Sequence, residues 1–333
     1  MKRVLSLVLA GALALSVLAG CAQKPKETYE KKDGQTPAAD VKPVNLKIGQ
    51  LPIADGLPFW VADVKGYYKE HNVNVELITF KSANERDIAL TSGDIDGVLT
   101  DIMSTTTLVA SGTKVKITSI GLGVTKEEGP MGILVSPNSG ITDLKQLKGV
   151  EIAISTNTVM QYVAEKLLAD AGFKPDEMKF TNIAQIPLRL ESLMSNKIKA
   201  AVLPDPLLSL AAAQGAKIVA NDKDAKQNYS ISVITFSEKA IKEKAEGLKR
   251  FYLAYNRGVL DVQAKPQEYM DLLIERAKLP ADLKTAYKIL PPSLSKAPNK
   301  EDVESVVQWL LDKKIISSKL SYEQLVDSSL LAK

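Results

Sequence analysis

Three aspartates, Asp55, Asp101 and Asp205, each stand where an apolar strand-like run gives way to a helix or turn. Aromatic residues accompany them: Phe59 and Trp60 follow Asp55 closely, and Tyr162 lies one turn into a later helical pattern. A carboxylate accepts hydrogen bonds from ring N–H or amino groups, and aromatic walls stack on planar rings. This combination suits a planar nitrogen-bearing heterocycle. A small anion instead wants N–H donors, and a buried carboxylate beside it is costly because like charges repel. An organic anion is therefore the alternative solute.

Several short polar side chains belong to the same set. Ser82 with Glu85, and Thr158 with Gln161, carry the spacing of helix capping boxes. Helix N-termini have free N–H groups that bind polar or anionic groups. Ser82, Asn84, Thr156, Asn157 and Thr158 are accordingly candidate contacts, and Tyr162 a candidate wall of a cleft. Asp101 serves either a ligand or the helix beginning at Ile102. Phe59 and Trp60 stack on a ligand or seal the first helix. Asp205, held between Pro204 and Pro206, has less structural excuse and is assigned to ligand. Arg189 contacts ligand or lies on the surface, with the surface preferred, and His71, in a Lys-Glu-His-Asn turn, is assigned to a solvated loop.

The elements that must position these residues alternate. Strands are predicted at Leu46–Leu51, Val73–Phe80, Ile95–Thr100 and Val115–Leu122, with helices between them, which indicates parallel βαβ units. A second set starts near Met131, with strands at Val150–Ser155, Lys179–Ile183 and Ala200–Leu203. The segment from Ser92 to Asp101 resembles that from Ser195 to Asp205 with one inserted residue, so two similar lobes are expected. The tail from Glu238 is mainly helical. Its longest helix, Ala245–Ala264, places Leu248, Phe251, Tyr252, Tyr255 and Val259 on one face.

Lys2 and Arg3, an apolar run from Val4 to Val17 and the order Leu18-Ala19-Gly20-Cys21 describe a secretory signal peptide at residues 1–20. The run is shorter than the roughly 18 apolar residues wanted for a membrane span. Leu-Ala-Gly-Cys resembles the bacterial lipobox, which implies lipidation of Cys21. Cys21 is the only cysteine, so no internal disulfide forms and no catalytic thiol lies in the rest of the chain. Residues 21–45 read as the lipidated cysteine and a flexible tether, too poor in apolar residues to offset the entropy of ordering. The expected location is the extracytoplasmic face of a membrane, held by the lipid.

Forty-three Lys and Arg against 39 Asp and Glu give a formal net charge of +4, which falls to +2 once Lys2 and Arg3 leave with the signal. No basic stripe is visible, so nucleic acid is not an expected partner. There is no Gly-Lys-Ser/Thr phosphate loop, Gly-x-Ser-x-Gly elbow or His-Glu-x-x-His pair. No cofactor or metal is expected. An enzyme relying only on carboxylates, and a surface sensor, are the competing classes.

The order of signal, tether and "LKIGQLPIADGLPFWVADVKGYYKEHNVNVELITF" through "SGDIDGVLTD" resembles the NMT1/THI5-like periplasmic-binding-protein family, which serves nitrate, alkanesulfonate, taurine and thiamine-pyrimidine importers. Ile141–Gly149, Ser155–Thr158 and Leu203-Pro204-Asp205-Pro206 fit the same pattern. Many members carry glutamate where this chain has Asp205. The resemblance implies an α/β, two-lobed periplasmic-binding-protein fold (type II) with two crossover strands and C-terminal helices on lobe 1. Lobe 1 is expected at 46–125 and 233–333, and lobe 2 at 126–232. It further implies a monomeric lipoprotein that closes on a small solute and delivers it to an ABC permease and its ATPase, not an enzyme. A thiamine-type pyrimidine is the first expectation for the solute.

Overall fold

The structure is a computed structural model that describes residues 42–125, 127–128 and 131–331. The signal peptide, Cys21 and nearly all of the tether lie outside the described residues. The alternating apolar run of the first strand, with Leu46 and Ile48 buried, forms β1 (Val44–Gln50). After it come α1 (Leu57–Val64), α2 (Tyr67–Glu70), β2 (Val73–Thr79), α3 (Ala83–Ser92), β3 (Gly97–Asp101), α4 (Ile102–Ala110) and β4 (Val115–Leu122). Between β1 and β2 the chain forms two helices and not one, because Gly66 adopts a left-handed conformation (φ 76°) after the first.

The chain then crosses to a second sheet. Its elements are β5 (Met131–Val135), β6 (Glu151–Ile154), α5 (Val159–Asp170), β7 (Lys179–Asn182), α6 (Ile186–Met194), β8 (Ala200–Pro204), α7 (Leu207–Ala213) and β9 (Lys217–Asn221). β10 (Ser232–Ser237) returns to the first sheet and pairs antiparallel with both β3 and β4. The tail supplies α8 (Glu238–Glu243), α9 (Ala245–Ala264), α10 (Met270–Ala277), α11 (Leu283–Ala286), α12 (Lys300–Asp312) and α13 (Tyr322–Leu325). The last helix stops at Leu325, and Val326 bridges to Ile117 of β4.

The two sheets have the same plan: β2-β1-β3-β10-β4 in lobe 1 and β7-β6-β8-β5-β9 in lobe 2. Each has a parallel trio flanked by one strand that the crossover delivers antiparallel. The repeated segment seen in the sequence forms β3 and β8, which hold the same central place. This is the expected two-lobed α/β fold.

Helix α9 anchors the tail on lobe 1, burying Leu248, Phe251, Tyr252, Tyr255 and Val259. It approaches α1 so closely that a Cβ on Gly258 would stand 2.4 Å from the Pro58 carbonyl oxygen. Helix α12 reaches further. It packs on α4 of lobe 1, while Trp309 Nε1 donates to Glu165 of α5 in lobe 2 at 3.2 Å. Lys313 pairs with the same carboxylate at 2.5 Å. The tail therefore binds both lobes.

Buried polar bonds tie the two crossing segments together. Asn228 Nδ2 donates to the carbonyls of Thr125 (3.0 Å) and Glu128 (2.8 Å). Glu128 Oε2 accepts from the backbone N–H groups of Gly123 and Val124, both at 3.0 Å. Asp222 accepts from Met131 N at 2.8 Å and from the Ser230 hydroxyl. Burial pushes the Asp222 carboxyl up to about 7, against the pull of those donors. Among the described residues no helix is long and apolar enough to cross a membrane.

Candidate functional site

In open α/β sheets, ligands bind beyond the carboxyl ends of the strands. Here those ends, from both sheets, come together. The loop after β1 makes one 3-10 turn over Ala54–Gly56, and the N–H of Ala54 donates to the carbonyl of Asp205 at 3.5 Å. Asp205 follows β8, and its peptide bond to Pro206 is cis. Asp55 and Asp205, far apart in sequence, thereby share one site.

Both carboxyls are held above their usual range. Burial is the main cause for Asp205, which reaches about 6; Asp55 adds to the rise, while the N–H (2.9 Å) and hydroxyl (2.7 Å) of Ser209 oppose it. Burial also raises Asp55, opposed by the neighbouring Ser232 hydroxyl and by backbone. Tyr287, delivered by the segment after α11, is buried against both acids, and they help push its phenol up. An ionised pair there accepts from N–H groups. A protonated member donates to an anion.

Asp101 bonds the helix that follows it as Asp205 does, but it lies outside the pair with Asp55. Its carboxylate caps α4, accepting from Ser104 N at 2.7 Å and Ser104 Oγ at 3.1 Å. Burial raises its pKa and the Arg86 guanidinium lowers it. Of its two expected roles, the cap is the one the hydrogen bonds fill. Ser82 likewise caps α3 through Glu85 N (3.3 Å), but the reciprocal arm runs from Lys81 N, one residue before the cap, to the Glu85 carboxylate. Asn84 lines the outer α3–α4 groove beside Ile88 and Leu108, apart from Asp55 and Asp205.

Phe59 is fully buried, with its ring centroid 4.8 Å from that of Tyr255 and 6.0 Å from that of Phe251. Trp60 is 1% exposed and packs over Gly56. Both rings are enclosed by protein, because α1 packs against α9 and every residue from Leu57 to Ala62 is buried. They seal the first helix.

In lobe 2, Thr158 caps α5, accepting from Met160 N at 3.3 Å. Asn157 sits in the left-handed region (φ 57°), exposed, its N–H donating to Gln161 Oε1 at 2.9 Å. Thr156 is also exposed, and its N–H donates to Asn182 Oδ1 at 3.1 Å. Tyr162 lies edge-on to Tyr229 and Trp309, with its hydroxyl 3.3 Å from Ser305 Oγ. Together with Ile102, Asn228 and Asp302 it lines a narrow crevice between the lobes. It is a wall that also contacts α12.

Arg189 corrects an expectation: it is wholly buried, not on the surface. Its Nη1 donates to Ser155 Oγ (2.9 Å) and the Ile183 carbonyl (2.8 Å), at the carboxyl ends of β6 and β7. Its Nε finds no acceptor, and burial alone lowers its pKa to about 9. Gln50, at the end of β1, is also wholly buried, and neither of its amide atoms makes a hydrogen bond. The sequence held one signal for it: Gln50 continues the inward phase of Leu46 and Ile48. Tyr287 left none, since only the tail's path brings it here. Among the described residues no three metal-ligating side chains cluster.

A search of curated proteins by sequence gives no match. Solved structures share the fold. The ligand-binding component of an ABC-type import system from Staphylococcus aureus superposes with a TM-score of 0.74 at 16% identity, covering 86% of this chain and 97% of that one. The aliphatic sulphonate binding protein SsuA from Escherichia coli gives 0.72 at 18%, covering 87% and 99%. The periplasmic nitrate-binding protein NrtA from Synechocystis PCC 6803 gives 0.70 at 15%, covering 86% and 87%. At these identities the likeness is one of fold. The sequence itself matches the family model described as NMT1/THI5 like over residues 54–269, which spans the Asp55 loop, all of lobe 2 and α9. The chain belongs to the NMT1/THI5-like family.

Proposed function

We propose that this chain is the extracytoplasmic solute-binding component of an ABC importer, a capture protein and not an enzyme. The observation that carries the reading is the meeting of strand-end loops from two equivalent lobes, where Ala54 N–H reaches the Asp205 carbonyl. Two halves joined by two crossing segments are built to hinge around a small molecule. Family membership and the roles for which the structural relatives are named support the same reading.

For the solute, a small organic anion of the sulfonate type takes precedence over the heterocycle expected first. Two of the relatives are named for sulphonate and nitrate, and Arg189 is a buried cation with no carboxylate partner. Burying an unpaired charge is expensive, and an anionic ligand offsets it. The start of α5 lies alongside, since Arg189 holds the hydroxyl of Ser155 just ahead of the Thr158 cap. Burial raises both Asp55 and Asp205, the latter to about 6, and a carboxyl that takes up a proton there donates a hydrogen bond to a bound anion. The same pair supports a second reading: ionised, it suits an amino-pyrimidine.

Calorimetric titration with ethanesulfonate, nitrate and 4-aminopyrimidine tests the choice. Tight sulfonate binding is expected; binding of the pyrimidine alone reverses the order, and binding of none removes the transport reading. Incubation with ethanesulfonate should release no sulfite. Lipid attachment at Cys21 belongs to the proposal as well, with incorporation of labelled palmitate expected in the wild type and lost in Cys21→Ala. A monomer by light scattering and co-purification with a permease and its ATPase complete it.

A further inference from the structure

We propose that Gln50, with Ser232, is a specificity-determining solute contact of lobe 1 that reads a hydrogen-bonding edge carrying both a donor and an acceptor; this rests on the binding-protein reading above. Gln50 is 0% exposed at the carboxyl end of β1, and its Nε2 and Oε1 both lack partners. Other glutamines of the chain are engaged: Gln146 Oε1 accepts from Thr142 N and Asp143 N, and Gln161 bonds Asn157 N and Glu165. A buried amide with no partner opposes folding, since it gives up its bonds to water for nothing. Leucine would fill the same phase without that cost.

The amide is not alone. In register, Gln50 follows Gly49, which pairs with Val98, so it shares a sheet face with Leu99 and Asp101, and Asp101 pairs with Ser232. Ser232 is 6% exposed. Its hydroxyl lies near enough to Asp55 to favour the ionised form, yet makes no hydrogen bond of ordinary geometry. Gly56, on the same loop as Asp55, closes over Gln50: a Cβ there would stand 2.9 Å from Gln50 Oε1. An amide without partners and a hydroxyl beside Asp55 thus lie under a loop that touches lobe 2. A carboxamide offers an acceptor and donors in one plane. With a hydroxyl and a carboxyl beside it, the group it fits is a carboxamide, an amino-substituted ring or an amine next to an oxygen. Unfavourable features of this kind are retained where function uses them.

The test compares the full-length protein with Gln50→Leu and Ser232→Ala, using two probe pairs that differ by one amino group: 2-aminoethanesulfonate against ethanesulfonate, and 4-aminopyrimidine against pyrimidine. Wild type should prefer the amino member of at least one pair. Gln50→Leu should melt no lower than wild type without ligand, lose at least about 30-fold in affinity for that probe, and cease to distinguish the pair. Ser232→Ala should lose several-fold. A Gln50→Leu protein that melts lower shows that the amide has a structural partner, such as an ordered water, and overturns the proposal. Unchanged discrimination overturns it too while leaving the binding-protein reading intact. Failure of wild type to bind any of the four overturns both.

Discussion

Lobes 1 and 2 fold by one plan and bury one arginine each at the same place, yet the two arginines live under different electrostatics. Arg86 is the fourth residue of α3 and Arg189 the fourth of α6, helices that precede the equivalent strands β3 and β8. Arg86 donates to the Leu99 carbonyl (3.0 Å) and Thr100 Oγ1 (2.6 Å), and pairs with Asp87 at 2.8 Å, with Asp101 close by. Arg189 has a hydroxyl, a carbonyl and the Met160 sulfur, and no carboxylate. A buried ion whose charge is balanced within its lobe braces the strand ends. One left unbalanced is a place where an anion adds the missing charge. Topology is copied between the lobes; neutralisation is not.

Removing each arginine should separate the two roles. Arg86→Met leaves Asp87 and Asp101 without their cation and is expected to cost about 3 kcal/mol of stability, as breaking a buried pair does, read by denaturant unfolding. Arg189→Met should cost far less stability, because it removes an unbalanced charge, while lowering sulfonate affinity roughly 100-fold, about 2.7 kcal/mol. Equal losses of stability in both variants would break the comparison.

The acid pair between the lobes sharpens it. A bound anion favours protonated Asp55 and Asp205, so sulfonate affinity should rise as pH falls from 7.5 through about 6, by up to about tenfold per unit. A fall in affinity over that range assigns the site to an N–H-donating solute instead. Stability follows a related rule. The folded-state pKa of Asp222 is raised from 3.8 to about 7, so the folded protein holds the extra proton between those values, and stability from this group drops as pH rises across them. Asp222→Asn should flatten the melting-temperature profile between about pH 4 and 7. The smallest effect is local: Asp101→Ala removes the α4 cap for about 1 kcal/mol and should leave solute affinity unchanged, whereas Asp205→Ala lowers it.

Much of the fold is legible in the residue order. Strands such as β2 alternate while β3, β5 and β8 are short runs buried throughout, and the long amphipathic helix begins and ends where its 3.6-residue pattern does, at Ala245 and Ala264. The echo between residues 92–101 and 195–205 locates β3 and β8 in their lobes. The site is harder to read. Aspartates 55, 101 and 205 share one sequence context, a strand end before a helix or turn; Asp101 and Asp205 both bond a serine of the following helix, yet only Asp205 shares with Asp55 the site between the lobes. Phe59 and Trp60 have the chemistry of ligand contacts, but the burial of α1 makes them core. Arg189 reads as surface because a charge on a short helix usually is.

The chain's own order settled many local questions: the kind and rough extent of most elements, and the capping serine and threonine of α3 and α5. Those depend on neighbours within a few residues. What only the folded chain decided is which buried polar groups are satisfied. Whether Arg86 meets a carboxylate, whether Asp55 meets Asp205, and whether Gln50 meets anything at all depend on atoms delivered from distant segments, since a hydrogen bond or ion pair acts across a few ångströms of space and not along the sequence.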